Sequence, residues 1–595
     1  MTRHLHPGDA GLVPRSRFLT ILSGIFLLAP AAIAATYYVD PASGSMSNPG
    51  TATQPWSTLE AVFTANKQFA AGDVILLRSG YHGMPTVKGD NSGMVSIQAE
   101  PGQAPKLRTL TVSAASRWDI SGLDICPENS APGAYLDTDL IYIQSSASFI
   151  TVHDCLIRGA FDPAGWTLAN WQDRAGNGAR VFGPDATLTR NRFETVGFGI
   201  RVNKLAPRVL VSRNVIHGFC MDGMQANGDD GIYEYNTVTD SYVDDSNHDD
   251  FFQSWSTDAT GASGTGTGTV YRVTVRGNVF MSRTVPATAL STDPQGIGCF
   301  DGMYEGWTVE NNLIVTNTYH GISFYGGINC KIVNNTVVEN PFTVPGAGRK
   351  PPWIQTFLHK ELAAGVPWPV APSGNLIRNN ISSDTAKMVS GGGTIDHNQK
   401  VPATSFGTWF ANAAAMDFTL KSDSPGVGAG VTDLAPAIDL RELPRTAPYD
   451  LGAYEIQAEA AQTPYQQWLA ANNLPLDGSG AGAPDASPSG DGVSNEMKFA
   501  LGLPVNSPGL DGRVSVGTMN LDGLDYLTLT YIRPEPPAGG VSYLPQVSGN
   551  LVDWSSRELV EVSNTVEGSV RRITLRDTVP ANVVPGRFVR LKVSR

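Results

Sequence analysis

The chain has 595 residues, of which 41% are hydrophobic and only 16% charged, with 63 Gly and 40 Pro. That length exceeds one ordinary core and calls for more than one domain, and turn-rich, weakly charged sequence points to all-β architecture and away from disorder. A formal net charge of −13 argues against a nucleic-acid partner.

Arg15 and Arg17 precede the apolar run FLTILSGIFLLAPAAIA, which closes on Ala32-Ile33-Ala34, a small-x-small cleavage site. Residues 1–34 therefore read as an export signal. No other segment is apolar and long enough to span a bilayer, so a soluble, secreted protein is expected. Next, Ser57-Thr58-Leu59-Glu60 has the form of a capping box, with Leu59, Val62 and Phe63 on one helical face. GDVILLRSG follows as the first strand region. Five cysteines (Cys126, Cys155, Cys220, Cys299 and Cys330) show no metal-ligand spacing. They read as small apolar core fillers, with room for one bridge.

A repeat then takes over. The pattern apolar-x-x-Asn-x-apolar recurs at Asn191, Asn214, Asn236, Asn278, Asn312, Asn335 and Asn380, and earlier copies place Leu123 and Cys155 in the Asn slot. The shortest steps are 22 and 23 residues, and steps of 34, 42 and 45 read as coils with insertions. Such a period with short strands suits a parallel β-solenoid, with each Asn at an inward corner bonding the next coil. Together with the opening YYVDPASGSMSNPGTATQPWSTLEAVF, this pattern resembles the right-handed parallel β-helix superfamily of secreted carbohydrate-active enzymes. The resemblance implies an all-β fold: a right-handed parallel β-helix over 36–456 with an N-terminal capping helix. It also implies a bacterial, exported, monomeric protein with a polysaccharide as partner.

The strands after each Asn corner align as NGARVF, FGIRVN, DGMQAN, DFFQSW, QGIGCF, HGISFY and PWIQTF. Alternation puts the third and fifth positions inward and the fourth outward. Stacking then builds an outward column of Arg180, Arg201, Gln225, Gln253, Gly298, Ser323 and Gln355. The leading positions are Asn177, Phe198, Asp222, Asp250, Gln295, His320 and Pro352.

His248, Asp250 and Gln253 form H-x-D-x-x-Q, which resembles an H-x-D-G-x-Q pattern of β-helix carbohydrate enzymes, with Phe251 in place of Gly. Asp222-Gly223-Met224-Gln225 repeats its second half one coil earlier, with Cys220 where the His would be. Two carboxylates on adjacent coils raise one pKa or hold a cation such as Ca²⁺ between them; alternatively, both simply cap turns. Three chemistries fit. β-Elimination or C5-epimerisation of a uronate polymer would use Arg180 and Arg201 on carboxylates, with His248 as base and Tyr242 or Tyr325 as proton donor. The family resemblance also admits Lys204 or Lys331 as base. Glycoside hydrolysis would use Asp222 and Asp250 as a pair. A non-catalytic glycan-binding solenoid would use the Asp pair for Ca²⁺ alone. His320, Tyr325, Trp255 and Trp353 are candidate substrate-binding residues beside the strip. Trp166, Trp171 and Tyr319 either join them or pack the insertions down. The Pro- and Trp-rich loops at 160–176 and 341–373, the second carrying Arg349, His359 and Lys360, are of a size to wall a groove. The arginines favour elimination on an acidic polysaccharide, the leading expectation.

After YDLGAYEIQ the repeat stops. Residues 457–513 read as a linker with a short helix at TPYQQWLAANNLP and a segment resembling degenerate calcium loops of secreted bacterial proteins. One register, Asp485–Glu496, is a passable calcium loop; another uses Ser487, Ser489 and Asp491 but meets Lys498 at the last ligand, which weakens calcium there. Residues 514–595 alternate with period two and predict a small β-sandwich-like module.

Overall fold

The computed structural model describes residues 34–594 except 243–247, 259–265, 344–349, 360–371, 389–391, 458–461 and 585. The expected export signal, Arg349 and Lys360 lie outside the described residues. The chain forms two compact units that divide between Ile456 and Gln457.

In the first unit, short strands pair in parallel, coil upon coil. Twelve strands make one sheet, and twenty-two make a second that forks into two ladders. The fork arises at Leu110–Ser121, which pairs with both Asp139–Ile143 and Ala147–His153. The result is a three-walled parallel β-helix. Its interior is filled by aligned apolar residues: Ile120, Val152, Leu188, Val211, Tyr233, Val275, Val309, Ile332 and Ile377 oppose one another in succession, all fully buried.

One corner repeats in every coil. The main-chain N–H of each ladder Asn donates to the Oδ1 of the next, from Asn191 through Asn214, Asn236, Asn278, Asn312, Asn335 and Asn380 to Asn398, at 2.8–3.0 Å. Each Nδ2 donates to the same oxygen and to a carbonyl of the preceding coil, as Asn312 does to Asn335 Oδ1 at 2.9 Å and Val275 O at 2.9 Å. Cys155 N–H tops the ladder, donating to Asn191 Oδ1. The residue before each slot is left-handed: Gly122, Asp154, Arg190, Arg213, Tyr235, Gly277, Asn311, Asn334, Asn379 and His397 all have φ between 50° and 72°. At Gly277 a side chain is also excluded by space, since a Cβ would lie 2.5 Å from the Tyr235 ring.

The helix Leu59–Thr64 buries Leu59, Val62 and Phe63 in the solenoid core, and Phe63 meets Trp118 edge-on at 5.5 Å. Its cap is Thr58, which accepts from Ala61 N–H, one residue later than the predicted Ser57 box. The N–H of Leu59, the first helical residue, is satisfied by His82 Nδ1. Toward the end of the unit, Phe406, Trp409, Phe410, Phe418 and Leu451 pack on Val315, Val338 and Ile381 of the coils. No disulfide joins any of the five cysteines, all of which are buried, so the bridge allowed above does not form.

The second unit holds an antiparallel sheet of Val514–Leu521, Leu524–Pro534, Val570–Pro580 and Leu559–Glu567, and a pair of Ser542–Ser548 with Phe588–Ser594. Leu529, Tyr531 and Ile573 of the first sheet meet Leu591 of the second and Leu501 and Leu503 from the preceding segment. The stretch before 514 is thus packed into this unit: helices Pro464–Ala471 and Asn495–Ala500 join through Tyr465, Leu469 and Phe499. Among the described residues, no helix is long and apolar enough to cross a membrane.

Replacing Asn312 by Ala strands the Asn278 N–H and the Val275 carbonyl in the interior. A loss of roughly 2–6 kcal/mol is expected at about 1–3 kcal/mol per buried group left unpaired. Denaturant unfolding followed by tryptophan fluorescence checks this; an unmoved midpoint would mean the ladder is not a main stabiliser.

Candidate active site

The wall that carries the outward column consists of Asp139–Ile143, Asn177–Val181, Ile200–Val202, Met224–Ala226, Asp250–Trp255, Gln295–Asp301, His320–Tyr325, Trp353–Phe357 and Ala386–Met388. Register places Arg180 opposite Arg201, then Gln225, Gln253, Gly298, Ser323 and Gln355 in succession. Tyr142 extends the column at one end and Lys387 at the other. At the leading position a bulge shifts the last coil, so Trp353 rather than Pro352 opposes His320.

Leading and column residues are coupled by hydrogen bonds in three of the coils. Gln225 Nε2 donates to Asp222 Oδ2 at 2.6 Å, Gln253 Nε2 donates to Asp250 Oδ2 at 2.8 Å, and His320 Nδ1 lies 2.9 Å from Ser323 Oγ. The coils are also joined: Asp250 N–H donates to Asp222 Oδ1 at 2.9 Å. Asp222 thus bonds a backbone N–H of the next coil and orients its neighbour.

Both carboxylates are buried, Asp222 at 2% and Asp250 at 0% relative exposure. His248 Nδ1 sits 3.7 Å from Asp250 Oδ2, with 70% of its side chain exposed. Burial pushes the Asp250 carboxyl up, against the opposing pull of His248 and Gln253. The carboxylate beside His248 in turn raises the imidazole to about 9. The pair thus holds a proton between them through the neutral range. The buried partner thus lifts His248 out of the ordinary imidazole range.

Gly298 makes room for this arrangement. A Cβ there would lie 2.5 Å from Asp250 Oδ1 and 2.3 Å from the Phe300 ring. Asp250 Oδ1 and Gln295 Oε1, on paired residues, are both buried without a hydrogen-bond partner among the described residues. Beside them a cavity of about 310 Å³ is lined by His248, Gln253, Ser254, Trp255, Phe300 and Asp301.

On the N-terminal side, Arg201 Nη2 pairs with Asp139 Oδ1 at 2.5 Å, and Arg180 Nη1 lies 3.7 Å from Asp139 Oδ2. Asp139, missed in the sequence, occupies the leading position one coil before Arg180, opposite Asn177. Arg201 is largely buried, which lowers its pKa, whereas Arg180 is the more exposed guanidinium. On the C-terminal side stands an aromatic group: Tyr325 stacks on Phe357 at 4.5 Å, Tyr319 lies over Trp353 at 4.9 Å, and Phe300 meets His320 edge-on at 4.9 Å.

Other candidates fall elsewhere. Lys204 is tied to Asp229 at 2.7 Å and Lys331 pairs with Glu310 at 3.2 Å, and the strand carrying Lys331 belongs to a different wall. Tyr242 stacks on Trp171, and Trp166 and Trp171 are buried with Cys220, so these rings pack the 160–176 insertion down. His359 is buried beside Gly266 O. Among the described residues, no three His, Cys, Asp or Glu side chains converge as a metal site. Phe300 and Asp301 went unremarked because they close an aligned segment whose signal ended at Gly298.

A family model described as "Right handed beta helix region" matches residues 137–344, which hold seven of the nine strands of this wall, and the solenoid is a right-handed parallel β-helix. No curated protein matches the sequence. Similar solved structures include pectate lyase Pel9A, 15% identical, covering 72% of this chain and 98% of that one with a TM-score of 0.35. A rhamnogalacturonan lyase is 15% identical over 67% of this chain and 97% of that one, TM-score 0.36. An alginate lyase from Paenibacillus sp. str. FPU-7 is 12% identical over 55% and 98%, TM-score 0.31.

In Asp250→Asn the His248 titration, followed by imidazole NMR, is expected to fall from about 9 toward the ordinary value of about 6.5. A neutral amide no longer favours the imidazolium. Gly298→Ala is expected to shift it the same way by displacing the carboxylate. A titration unmoved in both variants would show that Asp250 does not govern His248.

Proposed function

We propose that this β-helix is an exported polysaccharide-cleaving enzyme that acts on a uronate-containing glycan by β-elimination, with His248 as the proton-transfer group. The observation that carries the reading is the buried Asp250 holding an exposed His248 at the edge of a cavity on the outward strip. Hydrolysis by the two aspartates is less well supported. Their carboxylates have almost no exposed surface, and amide N–H groups occupy both oxygens of Asp222 and Oδ2 of Asp250, so neither is presented to a glycosidic oxygen.

Elimination asks for a base at the C5 proton, charge for uronate carboxylates, and a proton for the leaving oxygen. Neutral His248 takes the C5 proton; the C–H electrons form the C4–C5 double bond, and the C4–O bond breaks with its pair on the leaving oxygen. Water or Tyr325 supplies the proton that oxygen needs. Arg201 and Arg180 stand two and three coils from Asp250, about 10 and 14 Å along the strip at coil spacing. Arg180, the more exposed, suits a carboxylate on a neighbouring sugar, while Arg201 is steadied by Asp139. Gln225, Gln253 and His320 line the path, and Tyr325, Trp255 and Trp353 offer ring faces for sugars on the other side. Calcium between Asp222 and Asp250 is not needed by this scheme, because Gln225 and Gln253 already answer the carboxylates.

The pH profile discriminates between the chemistries. If His248 is the base, activity rises as pH passes through about 9, where the imidazole loses its proton. The product carries the ultraviolet absorbance of an unsaturated uronate. His248→Ala is expected to lower kcat by roughly 10²–10⁴-fold, and Arg180→Ala to raise KM about tenfold, equivalent to ~1.4 kcal/mol. New reducing ends without absorbance, with activity falling through the same pH range, would instead make His248 the acid of a hydrolase.

A further inference from the structure

In the second unit, residues 484–509 form the loop whose sequence resembles a degenerate calcium loop, and the structure shows what fills it. Lys498 lies on the helix Asn495–Ala500, capped by Ser494, and its side chain is 0% exposed. The ammonium donates to Asp491 Oδ2 at 2.5 Å, Ser489 Oγ at 2.7 Å, Val505 O at 2.7 Å and Ser507 O at 3.0 Å. Asp491 is itself wrapped by the loop: Oδ1 accepts from Val493 N–H at 2.9 Å and Ser487 Oγ at 3.1 Å, and Oδ2 accepts from Gly509 N–H at 3.1 Å. Lys498 holds the Asp491 carboxyl well below the usual carboxylate range. Two segments, 487–491 and 505–507, thus close around one positive charge.

That cage does not fit calcium. Ca²⁺ takes six to eight oxygens, whereas four oxygens surround this centre, and Asp485 and Glu496 of the alternative register are not among them. One carboxylate balances one ammonium. A divalent ion added beside Lys498 would bring two further charges into a buried site with no second carboxylate, at a large desolvation cost. Four acceptors do suit an ammonium, whose three N–H groups can be shared among them.

We propose that Lys498 is the resident cation of this loop, its ammonium standing where a metal ion would otherwise tie the two segments, so that the C-terminal unit closes without calcium. The same geometry implies a latent site. Removing the ammonium leaves Ser489 Oγ, the Asp491 carboxylate and the Val505 and Ser507 carbonyls around a space that a cation and waters can fill.

The test uses the full chain and calcium chloride alone as probe. Isothermal titration calorimetry and thermal unfolding with chelator or calcium would compare the wild type, Asp491→Asn, Lys498→Ala and Lys498→Ser. Wild type and Asp491→Asn are expected to show the same calcium response, because calcium has no place at the loop. Lys498→Ala is expected to unfold at lower temperature in chelator, to bind calcium saturably and to recover stability with it. Adding Asp491→Asn to that variant should abolish the gain. Lys498→Ser, which supplies a hydroxyl acceptor, serves the same comparison if the Ala variant does not fold. A calcium site in the wild type that Asp491→Asn removes would overturn the proposal, as would a folded Lys498 variant that gains no calcium binding.

Discussion

The structure depends on one corner. In every coil a residue turns left-handed just before the ladder slot, and from Asn191 on an Asn in that slot bonds the next coil through both its main-chain N–H and its amide. A left-handed non-glycine residue costs roughly 1–2 kcal/mol, and eight of the ten corner residues are not glycine. The ladder is the compensating interaction. Its amides satisfy buried backbone groups that no strand can reach, and they do so identically at each level. The corner thereby fixes where each coil re-enters register. Insertions lengthen the step between Asn slots from 22 to 45 residues without disturbing the columns on the facing wall.

That regularity explains how a functional surface is assembled from distant residues. Arg201, Gln225 and Gln253 are separated by 24 and 28 residues yet stand opposite one another. The repeated coupling between leading and column positions uses the same geometry for different chemistry: carboxylate with amide twice, then imidazole with hydroxyl. The series breaks at Gly298, the one position in the column without a side chain. The break falls against Asp250, where the polarised pair sits. Regular architecture supplies the frame, and a local omission supplies the site.

The columns and the corner were legible because both follow from periodicity: 22–23 residues per coil and two per strand alternation. Exposure was not legible. Asp222 and Asp250 occur at an outward-looking strand entry, and only their hydrogen bonds to Gln225, Gln253 and a backbone N–H show that they are shut in. The shift of His248 follows from that burial and could not be read from H-x-D-x-x-Q. Asp139 was missed because its coil lacks the Asn slot that anchored the alignment, so the partner that restrains Arg201 had no frame. The offset of Pro352 by one residue reflects a bulge, which an alignment by spacing cannot register.

Two of the buried ionisable groups, Lys498 and Asp250, show how satisfaction separates structure from chemistry. The Lys498 ammonium meets four oxygens and one opposite charge, and nothing about it is left open. The Asp250 carboxyl is just as buried, yet among the described residues Oδ1 has no hydrogen-bond partner, Oδ2 meets a single amide, and its counter-charge reaches out to solvent. An unpaired buried acceptor costs on the order of 1–3 kcal/mol. A merely structural carboxylate would gain by recruiting a donor, as Asp491 does three times over from its own loop. At Gly298 a side chain would collide with Oδ1, so the next coil leaves space there and supplies no donor. Asp250 is left under-bonded where an exposed imidazole can exchange a proton with whatever lies in the adjoining cavity, which is the condition a proton-transfer group requires.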